Sequence, residues 1–342
     1  MLCLGLNHQS TPVAIREKFS VPKTRLAEAG AALRALPGVE ECVLLSTCNR
    51  MEVYFWSDAP RESTAAILRH FSVHAPFPDA LDSYFYIKEG TDALRHLCRV
   101  VSGLDSMVLG ETEIFGQVKE AYSAALAAGL TGGRANRTFQ HVFTIGKKVR
   151  SSTKITVGPT SVGAVAVQMA GNILGGLDGA RVLMVGAGEV SRATAKALKS
   201  RGAESIFVAN RSYDRALALA REIGGRVIRF SDWAGYLLRI DIVIVSTAAS
   251  HYIVTPGLLH HVQEMRRERP LFLIDLSVPR NINPECSHIG GIHVFDIDTL
   301  HLLAAETRKN REKEIANCER MIDTWLFENA PELLGDAHHP DI

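Results

Sequence analysis

Residues 180–211, ARVLMVGAGEVSRATAKALKSRGAESIFVANR, decide the fold. An apolar run meets Gly186-Ala187-Gly188, a stretch of helical periodicity follows, and a second apolar run ends in Asn210-Arg211. Strand, glycine-rich turn, helix and strand in that order open a dinucleotide-binding unit. Gly186 permits the tight turn. Gly188 lets a pyrophosphate approach helix N–H groups, where the dipole favours anions. Ser191 replaces the usual third glycine and is still small enough for close packing of helix on strand. Nucleotide contacts are therefore expected at Gly186, Ala187, Gly188, Glu189, Val190 and Ser191. An NAD site carries Asp or Glu at the end of the second strand for the ribose 2′-hydroxyl; here Asn210-Arg211-Ser212 stands instead. Arg211 favours a 2′-phosphate and no carboxylate repels it, so NADPH is the expected cofactor.

Downstream, "RIDIVIVSTAAS" (239–250) and "RPLFLIDLSVPR" (269–280) are near-continuous β-branched runs, as in strands buried on both faces of a parallel sheet. A Rossmann-type, doubly wound α/β domain is expected over 153–294, entered through the Ser/Thr/Gly-rich segment "SSTKITVGPTSVGAV". Upstream, residues 1–152 alternate short apolar runs with helical patterns. "CLGLNH", "ECVLLS" and "MEVYFW" read as strands, and 24–36, 61–71, 91–105, 111–128 and 134–152 as helices, the third with Thr91 as N-cap. That is an α+β domain. From 295 to 342 a third region shows Ile315, Cys318, Met321, Ile322, Trp325 and Leu326 at helical spacing. A single helix over 297–328 would be roughly 48 Å long; a helix of that length suits a span between domains or subunits, against the plainer reading of a surface helix on its own domain.

The chain has 342 residues, 46% hydrophobic and 22% charged, with a net charge of +1. Its size suggests two cores, and no global field advertises nucleic acid or membrane. Locally, 121–177 contains no Asp or Glu but carries Arg134, Arg137, Lys147, Lys148, Arg150 and Lys154. That patch suits phosphates or is a solvated helix face. No signal peptide and no run of about 18 apolar residues is present. Six cysteines are dispersed without a C-x-x-C pair, which fits reduced cytoplasmic thiols and no metal site.

One stretch interrupts the strand pattern: "LLSTCNRMEVYF" (44–55) breaks into Ser46-Thr47-Cys48-Asn49-Arg50 and at once resumes. Free cysteines are commonly inert core residues. Three features favour a nucleophile instead: the strand-end loop, the Arg50 cation, and a nicotinamide domain in the same chain. A thiolate converts an activated ester to a thioester, and hydride reduces a thioester far more readily than a carboxylate. Cysteine plus NADPH therefore suggests reductive release of an acyl group. His96 is expected between Arg95 and Arg99, off the apolar stripe of Leu94, Leu97, Val101 and Leu104. There it is either an acid/base group or an idle surface histidine.

The segments "GLNHQSTPVAIREKFS", "LLSTCNRMEVYF", "RVVSGLDSMVLGETEIFGQVKEAY", "VGAGEVS", "VANRS", "STAAS" and "LIDLSVPRNINPE" together resemble glutamyl-tRNA reductase, in order over about residues 3 to 328. The resemblance implies NADPH-dependent reduction of glutamyl-tRNA(Glu) to glutamate-1-semialdehyde, the entry to tetrapyrrole synthesis by the five-carbon route. It assigns the nucleophile to Cys48 and a functional role to His96. Substrate contacts carry over to Thr47, Cys48, Asn49, Arg50, Ser106, Glu111, Thr112, Glu113 and Gln117. Arg50 would bind the glutamate carboxylate and Glu111 or Glu113 its ammonium, with Glu113 and Gln117 on one helix face. The family usually reads G-E-P-Q-I where this chain has Gly110-Glu111-Thr112-Glu113-Ile114, so an acid stands in place of an amide. Glutamate-1-semialdehyde aminomutase is the implied partner for the product. A homodimer built on a C-terminal helical region is the family's assembly; this sequence stops soon after Trp325, which leaves its own assembly open. Two other readings stand beside the reductase: a small-metabolite reductase of the shikimate-dehydrogenase type, and a non-catalytic NADP- or tRNA-binding regulator.

Overall fold

The computed structural model describes residues 1–74, 84–156, 161–267, 269–300 and 312–335. The chain divides into two compact units, Met1–Thr160 with Thr307–Ile342, and Ser161–Glu306.

In the first unit, strands β1 (Leu2–Asn7), β2 (Glu41–Ser46), β3 (Arg50–Trp56) and β4 (Tyr86–Glu89) form a sheet in the order β2-β3-β1-β4. Every pairing is antiparallel, and Asn7 lies opposite Arg50 and Gly5 opposite Glu52. Helices α1 (Val13–Arg16), α2 (Leu26–Arg34), α3 (Pro60–His74), α4 (Gly90–Val101), α5 (Glu113–Ala127) and α6 (Gly133–Ser152) complete the α+β pattern read from the sequence. The first three strands are buried along almost their whole length, so they read as continuous apolar runs rather than alternating ones. Phe139 of α6 stacks on Tyr122 with centroids 5.1 Å apart and meets Tyr54 edge-on at 6.1 Å, closing the core beneath the sheet.

The second unit opens with α7 (Val162–Leu174), capped by the Ser161 hydroxyl accepting from the Ala164 N–H at 3.1 Å. It continues through β5 (Arg181–Val185), α8 (Glu189–Ser200), β6 (Ser205–Ala209), α9 (Tyr213–Ile223), β7 (Arg226–Ile228), α10 (Trp233–Tyr236), β8 (Ile242–Val245), α11 (Pro256–Arg266), β9 (Leu271–Asp275) and β10 (Ile292–Phe295). All six strands are parallel, in the order β10-β9-β8-β5-β6-β7. Counted within the unit this is 3-2-1-4-5-6, the doubly wound arrangement whose ligand crevice opens at the carboxyl ends of the first and fourth strands, here β5 and β8.

The terminal helix, α12 (Glu312–Leu334), packs on the first unit. Cys318, Ile322, Leu326, Ala330 and Leu333 are buried in that unit's core, and Arg95 and Arg99 of α4 pair with Asp323 and Glu319. Of the helix expected over 297–328, residues 297–300 are helical, 301–311 lie outside the described residues, and the rest belongs to α12. Two further expectations are corrected. Thr91 does not cap α4, which begins one residue earlier with Glu89 at the N-cap. The basic patch is partly neutralised: Arg134 pairs with Glu40, Glu41 and Asp58, Arg137 with Glu332, and Arg150 donates to the Glu111 carbonyl at 2.8 Å. Lys147, Lys148 and Lys154 remain exposed. Among the described residues no helix is long and apolar enough to cross a membrane, and all six cysteines are free thiols.

Candidate active site

The Ser46–Arg50 interruption is the tip of the β2–β3 hairpin. Thr47 N–H donates to the Arg50 carbonyl at 2.9 Å, and the Thr47 hydroxyl accepts the Asn49 and Arg50 amides at 3.1 and 3.2 Å. A short side chain that satisfies the backbone locally makes so tight a turn possible. The Asn49 carbonyl accepts the His8 N–H at 2.9 Å, which ties the tip to the end of β1. Cys48 sits at this tip, half-buried. Burial pushes its thiol up to about 12; Glu111 and then Glu113 add to the rise, and Arg16 opposes it. The cation acting on the sulfur is thus Arg16, not Arg50.

Arg50 has a different occupation. Its guanidinium is buried, bonded to Glu52 at 2.7 Å, to the Asp105 carboxylate at 3.1 Å and to the Asp105 carbonyl. Glu52 is the hub of this network. It accepts from Arg50, from Tyr54 and Tyr86 hydroxyls at 2.5 Å, and lies 2.9 Å from His96 Nε2. Burial alone would raise the Glu52 carboxyl, but Arg50 and His96 hold it well below the usual carboxylate range. An ionised Glu52 can only accept, so His96 Nε2 carries the hydrogen and donates. Space for this carboxylate comes from Gly5, where a Cβ would stand 2.6 Å from Glu52 Cγ.

His96 is not on the surface. Only 5% of it is exposed, because Ala93 and Val100 are buried as well and widen the apolar arc of α4 until His96 sits on its edge, facing Glu52 and Tyr86. Ligand atoms of Cys3, Glu52 and His96 lie within 4.8 Å of one another. The carboxylate in that trio is already filled by donors, and the Arg50 charge beside it opposes a metal dication.

The second wall is the 102–112 loop. Gly103 and Gly110 have φ of 78° and 76°, and a Cβ on Gly110 would come within 1.9 Å of the Ile155 carbonyl oxygen. Only glycine lets the loop turn back there. Ser106 and Glu111 are buried, Thr112 is exposed at the N-cap of α5, and Glu113 and Gln117 are half-buried on its first turns. Burial lifts the Glu111 carboxyl to about 7; Glu113 adds to this and Arg50 opposes it. The loop thus brings two acids into the electrostatic range of Cys48, while Arg50, Glu52, His96 and Asp105 form a saturated layer against the sheet. Glu52, Asp105 and Arg16 escaped sequence reading. Each lies in or beside a segment quoted above, and only tertiary pairing reveals what it touches.

In the second unit, the Gly186 N–H donates to the Ala209 carbonyl at 2.8 Å, and its φ is 117°. A Cβ there would lie 1.9 Å from the Ser246 carbonyl oxygen, so glycine is required for the close approach of this turn to the end of β8. Gly188 caps α8 and faces open space, with Ala187, Glu189 and Val190 beside it; Ser191 is buried and donates to Ser246 at 3.3 Å. Across the crevice, Asp275 accepts amides of Ser277, Asn281 and Ile282 at 2.9, 2.7 and 2.8 Å. Asn281 then bonds Thr247, Ala249 and His251, locking the loops after β8 and β9 together. Asn210 and Arg211 follow β6 and line a cavity of about 280 Å³ with Tyr213, Arg229 and Phe230. Glycine turn, helix N-terminus and a cationic cavity at the second strand fit an NAD(P)-type dinucleotide.

Comparisons with known proteins divide the chain in the same way. Residues 4–153 match the family described as Glutamyl-tRNAGlu reductase, N-terminal domain, and residues 168–303 match Shikimate / quinate 5-dehydrogenase. The glutamyl-tRNA reductase of Akkermansia muciniphila is 56% identical over 332 residues, which cover 97% of this chain and 98% of that one. That of Heliobacterium mobile is 40% identical over 94% of this chain and 72% of its own length. The solved structure of glutamyl-tRNA reductase from Methanopyrus kandleri matches with a TM-score of 0.50 at 33% identity, over 97% of this chain and 80% of that one. A cysteine-tipped hairpin walled by acids, a doubly wound nucleotide sheet and near-full-length relatives agree, and the chain belongs to the glutamyl-tRNA reductase family.

Proposed function

We propose that the chain reduces the glutamyl group of glutamyl-tRNA(Glu) to glutamate-1-semialdehyde with NADPH, the first step of five-carbon tetrapyrrole synthesis. The observation that carries the reading is Cys48 at a hairpin tip within the field of Glu111 and Glu113, in one chain with a dinucleotide sheet. Cys48 attacks the ester carbonyl, the terminal ribose oxygen of the tRNA leaves with a proton, and a thioester remains. Bound NADPH supplies the hydride that turns the thioester carbonyl into the aldehyde and returns the Cys48 thiolate.

The raised thiol belongs to the substrate-free site. Burial is the larger cause of that rise; a substrate ammonium placed between Glu111 and Glu113 removes the carboxylate part of it, and Arg16 then favours the thiolate. Substrate binding thereby eases ionisation of the nucleophile. Thr47 and Asn49 shape the tip, and Ser106, Thr112 and Gln117 border the wall that meets the substrate. Arg50 acts from inside the protein: its charge is shared with Glu52 and Asp105, and it holds the hairpin to the 102–112 loop. His96 serves this reading as an orienting or acid/base group, with its Nε2 bonded to Glu52. Gly186 to Ser191 receive the pyrophosphate, and Asn210 and Arg211 the ribose 2′-phosphate. The family's homodimer and transfer of the reactive aldehyde to glutamate-1-semialdehyde aminomutase belong to this reading too.

The test is turnover with glutamyl-tRNA(Glu) and NADPH, followed by semialdehyde. Cys48→Ser abolishes product while NADPH binding stays within about twofold, because the sulfur and the nucleotide crevice belong to different units. Near-normal activity of Cys48→Ser would remove the nucleophile assignment.

A further inference from the structure

Of the two arginines in the nucleotide cavity, Arg229 has no assigned role. Strands β6 and β7 pair in parallel with Ala209 opposite Ile228. The next residues, Asn210 and Arg229, therefore emerge side by side at the carboxyl edge of the sheet. The cavity of about 280 Å³ is lined there by Asn210, Arg211, Tyr213, Arg229 and Phe230, two cations and two aromatics without a carboxylate. Arg211 and Arg229 are both exposed, and among the described residues neither guanidinium has a hydrogen-bond or ion-pair partner. Two unpaired guanidiniums that line one cavity repel each other unless an anion joins them. A phosphate monoester, with three acceptor oxygens and close to two charges, suits that gap.

We propose that Arg229 is the second ligand of the NADPH 2′-phosphate and, with Arg211, sets the preference for NADPH over NADH, while Tyr213 and Phe230 pack against the adenine. This rests on the reading of the Gly186 turn as an NADPH site and adds to it a residue from another strand. Arg229 lies outside the glycine turn and the Asn210-Arg211 pair, which is why a motif reading does not reach it. Both arginines are exposed, so neither substitution disturbs the core.

Isothermal titration of the full chain with 2′,5′-ADP and with 5′-AMP separates the phosphate from the adenosine. The intact protein binds 2′,5′-ADP more tightly than 5′-AMP. Arg229→Ala weakens 2′,5′-ADP by about tenfold or more, as loss of a charge-assisted bond does, leaves 5′-AMP within about twofold, and Arg229→Lys restores part of the loss. Unchanged 2′,5′-ADP affinity in Arg229→Ala, with the preference erased in Arg211→Ala, overturns the role of Arg229 alone. Equal weakening of both ligands overturns it as well. An intact protein that does not distinguish the two ligands overturns the NADPH reading and this inference with it.

Discussion

Burial beside Glu113 lifts the Glu111 carboxyl to about 7 from an ordinary 4.5, and this sets a pH dependence with a definite sign. The folded protein holds a proton there that the unfolded chain releases. That contribution is complete below about pH 4.5 and disappears as pH rises through 7, roughly 3 kcal/mol in all. Asp275, raised to about 6 mainly by burial, has the same sign in the other unit. The Glu111 part is therefore read as a difference: between pH 4.5 and 8 the unfolding free energy of the wild type falls more steeply than that of Glu111→Gln. Parallel curves would contradict a protonated Glu111. At this scale Cys48 and the acid-rich E-T-E segment are legible in the sequence, because small nucleophilic and acidic residues interrupt apolar runs. The commitments of Arg50 and His96 are not, since their partner Glu52 reads as one polar residue in a strand and its hub position depends on Gly5 across the sheet.

Among the elements, the β2–β3 hairpin and the β5–α8 turn place the chemistry, and both depend on local backbone satisfaction. The turn offers the sharper test. Gly186→Ala puts a methyl group 1.9 Å from the Ser246 carbonyl oxygen at a φ of 117°, so β5 and β8 must separate at the turn proposed to receive the pyrophosphate. Nucleotide binding in Gly186→Ala is expected to fall by at least about tenfold. Undiminished binding would show that the turn does not touch the dinucleotide. Parallel strands and the glycine turn are plain in the sequence because their apolar runs are unbroken. The edge of α4 is harder to read: its apolar residues fill an arc of about 160° and His96 falls about 40° beyond Val100, so spacing alone does not assign this boundary histidine inside or outside. The terminal helix likewise shows its period but not its partner, which is α4 and α6 of the first unit, through Arg95, Arg99 and Arg137.

Across the whole molecule, the Cys48 hairpin and the glycine-turn crevice belong to separate units, so damage to one is expected to leave ligand binding by the other in place. The basic segment shows how folding revises a charge count. Arg134, Arg137 and Arg150 are spent on neighbours that no local pattern announces, while Lys147 and Lys148 stay exposed and are the proposed contacts for tRNA phosphates. Replacing both by Glu is expected to weaken glutamyl-tRNA binding and flatten its dependence on salt; unchanged affinity would move the tRNA surface elsewhere. The account as a whole depends on the Cys48 sulfur taking the glutamyl group. Incubation with glutamyl-tRNA(Glu) in the absence of NADPH, followed by mass spectrometry of the acid-quenched peptides, reads this directly. One glutamyl group on the Cys48 peptide, lost as aldehyde when NADPH is added, is the predicted result. An active enzyme whose glutamyl adduct sits on another residue, or forms equally in Cys48→Ser, would contradict it.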